Sequence, residues 1–152
     1  MNILALDLST NTGWATNYKG KRSGVEHFPP KKGESPGMRF LRFRAWLHTM
    51  KDFIGKIDLI VYEKSGSNYR SMATVDIIVG LQTEVQAFAA EQWIELMVVN
   101  NSELKKWATG KGNAGKPEMI AHVKTLKWSC ITDDNEADAI LLLEYAIKEL
   151  RL

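Results

Sequence analysis

The sequence predicts an α/β protein: a mixed sheet with helices on both faces. Three observations predict it. Three strand-like runs come first, close enough to be hairpin-linked. Strand and helix signals then alternate along the rest of the chain. Two of the strand runs are apolar on consecutive residues, as strands covered on both sides are. The chain has 152 residues, 45% hydrophobic and 25% charged, which suits one ordinary domain over 1–152 with a real core.

The elements follow in order. Ile3-Leu4-Ala5-Leu6 opens a strand read over 2–8, and Asp7 stands where another core residue should be. A tight polar turn at 9–11 leads to a second strand over 12–18, and 21–28 make a third, giving an antiparallel meander. "PPKKGESPG" at 29–37 is a loop by composition. "MRFLRFRAWLHTMKDFI" at 38–54 has helical periodicity, with Leu41, Ala45 or Trp46, His48 or Thr49, and Phe53 expected along one side. "DLIVYEK" at 58–64 is a buried-type strand and, like the first, it ends on an acid, Glu63.

After a turn at 65–71, residues 72–91 form a long helix with Val75, Ile78, Leu81, Val85 and Phe88 at spacings of three and four. Gly80 inside it costs about 1 kcal/mol relative to alanine and marks a close helix contact. A strand follows at 94–100, then a short helix at 102–109 capped by Ser102. A loop covers 110–116, and a helix over 117–126 opens on Pro117. An amphipathic helix at 133–150 ends the pattern, with Asp133 or Asp134 as its N-cap.

No apolar run approaches the ~20 residues of a membrane span, and Asp7 breaks the only N-terminal apolar segment, so neither a span nor a signal peptide is expected. The single cysteine, Cys130, cannot form an internal disulfide, and the expected location is a reducing cytoplasm. The net charge is only +2. The basic residues cluster, however: Lys19, Lys21, Arg22, Lys31 and Lys32, then Arg39, Arg42 and Arg44, then Lys105, Lys106, Lys111 and Lys116. Basic surfaces around an acidic centre would fit this distribution, as would scattered solvated lysines.

The acids carry the chemistry. Asp7 lies on the first strand, which this element order tends to place centrally, and Glu63 ends the fourth. Asp134 and Asp138 are four apart and share one face of the last helix. If that helix packs beside strands one and four, these carboxylates converge. Such a cluster is costly unless protonated or neutralised. Two magnesium ions would neutralise it, and a metal pair can activate water and stabilise a leaving oxygen in phosphodiester cleavage. Asp7 would then bridge both ions. Taken singly, Asp134 could be only a cap and Glu63 could pair with a lysine.

"LALDLSTNTGWA", "IDLIVYEK", "LKKWATGKGNAGK" and "DDNEADAILLL" occur in that order. Together they resemble the RuvC Holliday-junction resolvases of the ribonuclease H-like fold, and most of all the short bacteriophage forms, over residues 2–148. The resemblance implies a ribonuclease H-like mixed five-stranded sheet and a homodimeric endonuclease that uses magnesium, with manganese able to substitute. The substrate would be four-way or other branched DNA, cut to 5′-phosphate and 3′-hydroxyl ends, and the location the host cytoplasm if the chain is phage-encoded. Asp7, Glu63 and Asp138 match the family's catalytic, metal-holding acids. The family's fourth acid falls at Asn135 here, so Asp134, or less readily Glu136, would replace it. Lys105 and Lys116 match lysines that flank the Gly-x-Gly loop and act near DNA phosphates, and Lys111 stands in that loop. Tyr69, with Arg70 beside it, is the nearest counterpart of an aromatic wedge against DNA. The basic segment from Lys31 to Arg44 is expected to shape substrate choice, and the 72–91 helix is expected to contribute to a dimer interface.

Two rival readings compete. The "D-x-S-T-x-x-x-G" opening also resembles the first phosphate loop of sugar kinases and other actin-like ATPases, but that reading needs a second lobe for which this length has no room. A non-catalytic branched-DNA-binding protein of the same fold would bind junctions without cutting them.

Overall fold

The computed structural model describes residues 1–64, 71–126, 128, 131 and 133–152. Their elements are β1 (Ile3–Asp7), β2 (Asn11–Thr16), β3 (Arg22–His27), α1 (Met38–Ile54), β4 (Leu59–Glu63), α2 (Met72–Gln92), β5 (Glu95–Val99), α3 (Asn101–Thr109), α4 (Lys116–Thr125) and α5 (Asp134–Glu149). The five strands form one sheet in the order β3-β2-β1-β4-β5. The first three make the expected antiparallel meander, and β1, β4 and β5 run parallel. The α/β class and the mixed five-stranded sheet are therefore as the sequence implies. No helix among the described residues is long and apolar enough to cross a membrane.

Period-two alternation in the central strands sorts the side chains into two cores. Ile3 and Ala5 of β1, with Leu59 and Val61 of β4, face α3, α4 and α5. Leu4, Leu6, Ile60 and Tyr62 face α1 and α2. Both strands are buried on each side, which is why their sequences read as continuous apolar runs.

The α1 helix spans the predicted residues, but its buried side is Phe43, Leu47, Met50 and Ile54. Leu41 and Phe53, expected on that side, are 61% and 42% exposed. Phe28 decides the rotation: its ring meets those of Phe43 and Trp46 edge-on, at 5.2 and 5.7 Å. The cap of α3 also differs from expectation. Asn100 is the extended residue before the helix, and Ser102 lies inside the first turn, because β5 ends at Val99 and leaves only one residue for the change of direction. Of the two aspartates proposed to cap α5, Asp133 does so, accepting from the backbone N–H groups of Asn135 and Glu136 at 2.8 and 3.2 Å.

Helix α5 lies across β2 and β1 and reaches β3 and β4. It buries Ile140, Leu141, Leu142 and Leu143 completely, and each such side chain contributes roughly 1.5–3 kcal/mol. The sheet beneath is kept shallow: Ala5 pairs with Ala15, and Asp7 pairs with Gly13. A Cβ built on Gly13 would stand 1.8 Å from the carbonyl oxygen of Asn135 and 2.9 Å from the nitrogen of Glu136. The glycine thus admits the first turn of α5 against the sheet. Gly80 plays a related part on the other side, where a Cβ would stand 2.4 Å from the far edge of the Phe40 ring.

The two glycines should respond differently to alanine. At Gly13 the obstacle is backbone, and Gly13→Ala is expected to lose on the order of 3 kcal/mol in urea unfolding. At Gly80 a ring edge can move, and the helix gains propensity, so Gly80→Ala should cost distinctly less. Equal losses would contradict this account.

Candidate active site

Asp7 and Glu63 reach the site by the same rule that builds the core. Each continues the row that faces α5, as positions 3-5-7 and 59-61-63. Leu6 stands opposite Tyr62 in the parallel pair, so Asp7 and Glu63 come next, at the ends of neighbouring strands about 5 Å apart. Asp138 is the fifth residue of α5 and comes down over them from the helix seated on Gly13. Three segments distant in sequence thus bring their acids to one end of the sheet.

The charges are near enough to perturb one another. Asp7 is held well above the ordinary aspartate range, first by burial and then by the charges of Asp138 and Glu63, with Lys116 opposing. No described residue donates it a hydrogen bond. Glu63 is also raised, by burial, against the opposing effects of Asn101 and Lys105. Asp138 is raised from 3.8 to about 6, by burial first and the charge of Glu63 second, against Lys116 and Lys105.

A cavity of about 180 Å³ opens beside these groups, lined among others by Glu63, Asn101, Lys105, Lys116, Asp134 and Asp138. Asn101 donates from Nδ2 to Glu63 Oε1 at 2.7 Å. Lys116 meets Asp134 at 3.3 Å, with both side chains exposed. No three acidic, histidine or cysteine side chains among the described residues meet in one ligand sphere. In the arrangement seen, Glu63 is turned to Asn101 and Asp134 to Lys116.

The donor chemistry fits a hard divalent cation. All candidate ligands are oxygens, and Asp7 is a partly buried carboxylate without a hydrogen-bond donor among the described residues, facing two more carboxylates. Asp7, Glu63 and Asp138 could hold such an ion. Asp134 is the nearest further acid on the same helix face. Glu136 is directed elsewhere, accepting from Ser23 Oγ of β3 at 2.6 Å.

Of the lysines predicted at the site, Lys105 and Lys116 line the cavity, while Lys111 lies outside that lining, in the exposed turn that follows Gly110. Gly110 ends α3 with φ at 78°, the left-handed conformation that favours glycine. Tyr69 and Arg70 lie outside the described residues. Sequence reasoning missed Asn101 as the partner of Glu63, having considered only a lysine. An Asn-Asn pair directly after a strand, at a helix start, was the available signal.

No protein-family model and no curated protein matches the chain. Solved structures do. Thermus thermophilus RuvC in complex with a Holliday junction substrate superposes with a TM-score of 0.79 at 19% identity, over 98% of this chain and 96% of that one. The fowlpox virus resolvase in complex with substrate Holliday junction DNA gives 0.62 at 11% identity, over 97% and 99%. The yeast mitochondrial Holliday junction resolvase gives 0.62 at 14%, over 92% and 75%.

The chain has the RuvC-type fold.

That RuvC-type fold is ribonuclease H-like, as the sequence resemblance implies, and the likeness runs nearly end to end. The carboxylates of this chain stand at the end of the RuvC-type sheet where β1 and β4 finish.

The raised acids set a pH dependence. Unfolded, Asp138 ionises near 3.8; folded, near 6. Between those values the folded chain keeps a proton that the unfolded chain has lost. Stability present below pH 4 is therefore lost as pH rises through 6, by up to about 3 kcal/mol. Asp7 and Glu63 act in the same direction. Asp138→Asn should raise the thermal midpoint of metal-free protein at pH 7.5 and change it little at pH 4. A variant melting no higher than wild type at pH 7.5 would refute the assignment.

Proposed function

We propose that this protein is a divalent-metal-dependent endonuclease of branched DNA, with the four-way junction as its principal substrate. The observation that carries the reading is Asp7. It is a carboxylate on the sheet's central strand, flanked by Glu63 and Asp138, with no hydrogen bond from a described residue to offset its charge. A protein that only bound junctions would gain nothing from three acids whose repulsion destabilises it and opposes DNA. The structural likeness to resolvases complexed with junction DNA supports the substrate class.

Asp7, Glu63 and Asp138 would hold the metal, with Asp134 the fourth acid in reach once released from Lys116. Two magnesium ions, or manganese in their place, would supply water activation and stabilisation of the leaving 3′ oxygen, giving 5′-phosphate and 3′-hydroxyl ends. The chain's own groups do the positioning. Asn101 fixes one oxygen of Glu63, which sets the direction of the other. Lys105 and Lys116, on the cavity wall, neutralise the incoming phosphate. The exposed Lys116 must leave Asp134 to do so, which frees that carboxylate as DNA arrives.

Paired cuts in a symmetric junction call for two copies related by a two-fold axis. The inner face of α2 is committed to the core and to Phe40. Its outer side and neighbouring β5 leave Val79, Leu96, Val98 and Trp93 exposed, Trp93 at 96%. That apolar surface suits a homodimer.

Asp7→Asn should reduce magnesium-dependent cleavage of a synthetic four-way junction at least about a hundredfold, while binding in gel shift persists. Wild-type protein that binds the junction but cuts it with neither magnesium nor manganese would establish the non-catalytic rival. The dimer is checked by light scattering: wild type should run at twice the chain mass, and Val79→Glu with Val98→Glu should run as monomer. A monomeric wild type, with and without junction, would remove the two-fold arrangement.

A further inference from the structure

A second cavity, of about 290 Å³, lies between the loop after β3, the start of α1 and the start of α2. Its position follows from the topology. Phe28 N–H donates to the carbonyl of Thr10, just beyond Asp7, and α2 starts after the segment that leaves Glu63. The cavity is therefore at the same end of the sheet as the acids, but on the α1/α2 side, the side of Phe40 and Ile77.

Its walls combine two characters. Pro30, Pro36, Phe40 and Ile77 make it apolar, and Lys31 and Arg39 bring positive charge. The loop is pinned: Arg42 donates to Glu34 at 2.6 Å and to the Pro29 carbonyl at 2.8 Å. Arg39 is different. Its Nε–H is buried and has no acceptor among the described residues, a cost of about 1–3 kcal/mol unless something supplies one. No ion pair joins Arg39 or Lys31 to a described residue.

We propose that this cavity receives one unpaired nucleotide of the DNA substrate, its base against Phe40 and the prolines and its phosphate on Arg39 and Lys31. A guanidinium matches phosphate geometry, and base stacking on apolar and aromatic side chains is tolerant of sequence. Asp76, on the wall of α2, is an acceptor that suits a base amino group and keeps phosphate to the Arg39 side. The volume takes one nucleotide and not a duplex, whose bases are paired and stacked. Only an opened or single-stranded position can enter, so the cavity distinguishes branched DNA from plain duplex. This inference rests on the branched-DNA reading above and adds the feature of the branch that is read.

The test compares two flap substrates of identical strands, one carrying normal nucleotides at its unpaired positions and one carrying abasic sites there. Binding is followed by fluorescence anisotropy with calcium in place of magnesium. Wild type should prefer the base-containing flap by at least about fivefold. Arg39→Gln should abolish the preference while affinity for plain duplex stays within error and the variant melts no lower than wild type. Ser35→Trp, at an exposed lining position, should do the same by filling the mouth of the cavity, and it serves where Arg39→Gln does not fold. Equal binding of both flaps by wild type, or full preference retained in both folded variants, would overturn the inference. Tight binding of free mononucleotide, without flap preference, would also overturn it, in favour of a small-molecule site. Cleavage is scored separately: base preference without cleavage of any branched DNA would refute the nuclease reading and leave this site standing.

Discussion

The backbone of Asn135 rests on β2 closer than any side chain would permit, and the positions of the acids depend on that contact. Gly13 makes room for it directly beside Asp7, its partner across the β1–β2 ladder. With Ala5 and Ala15 alongside, the sheet offers α5 a low bed instead of the Val and Ile ridge usual in strands. The first turn is then fixed from two sides. Asp133 caps it, and Glu136 is tied to Ser23 on β3. A helix held this firmly at its start carries Asp138 to a defined place over β1 and β4. A bulkier residue at position 13 would lift the turn and withdraw Asp138 from Asp7 and Glu63 together.

The acids impose a cost that the remainder of α5 offsets. Burial raises the pKa values of all three acids, and neighbouring carboxylates raise those of Asp7 and Asp138 further, so the ionised cluster works against folding. Four consecutive leucine and isoleucine residues, Ile140 to Leu143, bury fully within the next turn of the same helix. The helix is thus anchored by its apolar length and strained electrically at its tip. A cation bound by the acids would reverse the sign of that local term without moving the anchor, which couples ligand binding to stability at one end of the molecule only.

The sequence made most of the fold legible because polarity and period are local signals. Unbroken apolar runs at Ile3–Leu6 and Leu59–Tyr62 revealed buried strands, and the acids stood out because they ended them. The features that were not legible are contacts between segments far apart. Gly13 read only as an early residue of the second strand, since nothing local says which backbone will approach it. The rotation of α1 was misjudged because Leu41 and Phe53 make as plausible an apolar row as Phe43 and Leu47, and the choice is made by Phe28 from another segment. Asn101 escaped notice because its partner, Glu63, is 38 positions away. Asp134 and Glu136 were both open as the fourth acid. The turn of the helix separates them, one toward the cavity and the other toward Ser23.

Parallel strands give a sheet two unlike ends, and this chain uses the difference. β1 and β4 both finish where Asp7 and Glu63 stand, so the connections that leave them gather at one end, as do the start of α2 and the loop after β3. Elsewhere β1 and β4 are sealed between helices on both sides. A cleft under α5 and a cavity under α1 and α2 can therefore share an end of the molecule while separated by the sheet itself. The separation has a chemical consequence. Ionised carboxylates on one side disfavour phosphate, whereas Arg39 on the other has no ion-pair partner among the described residues. On the proposed reading, nucleic acid approaching that end would meet the basic side first and the acidic side only once a cation is bound, so recognition would precede chemistry.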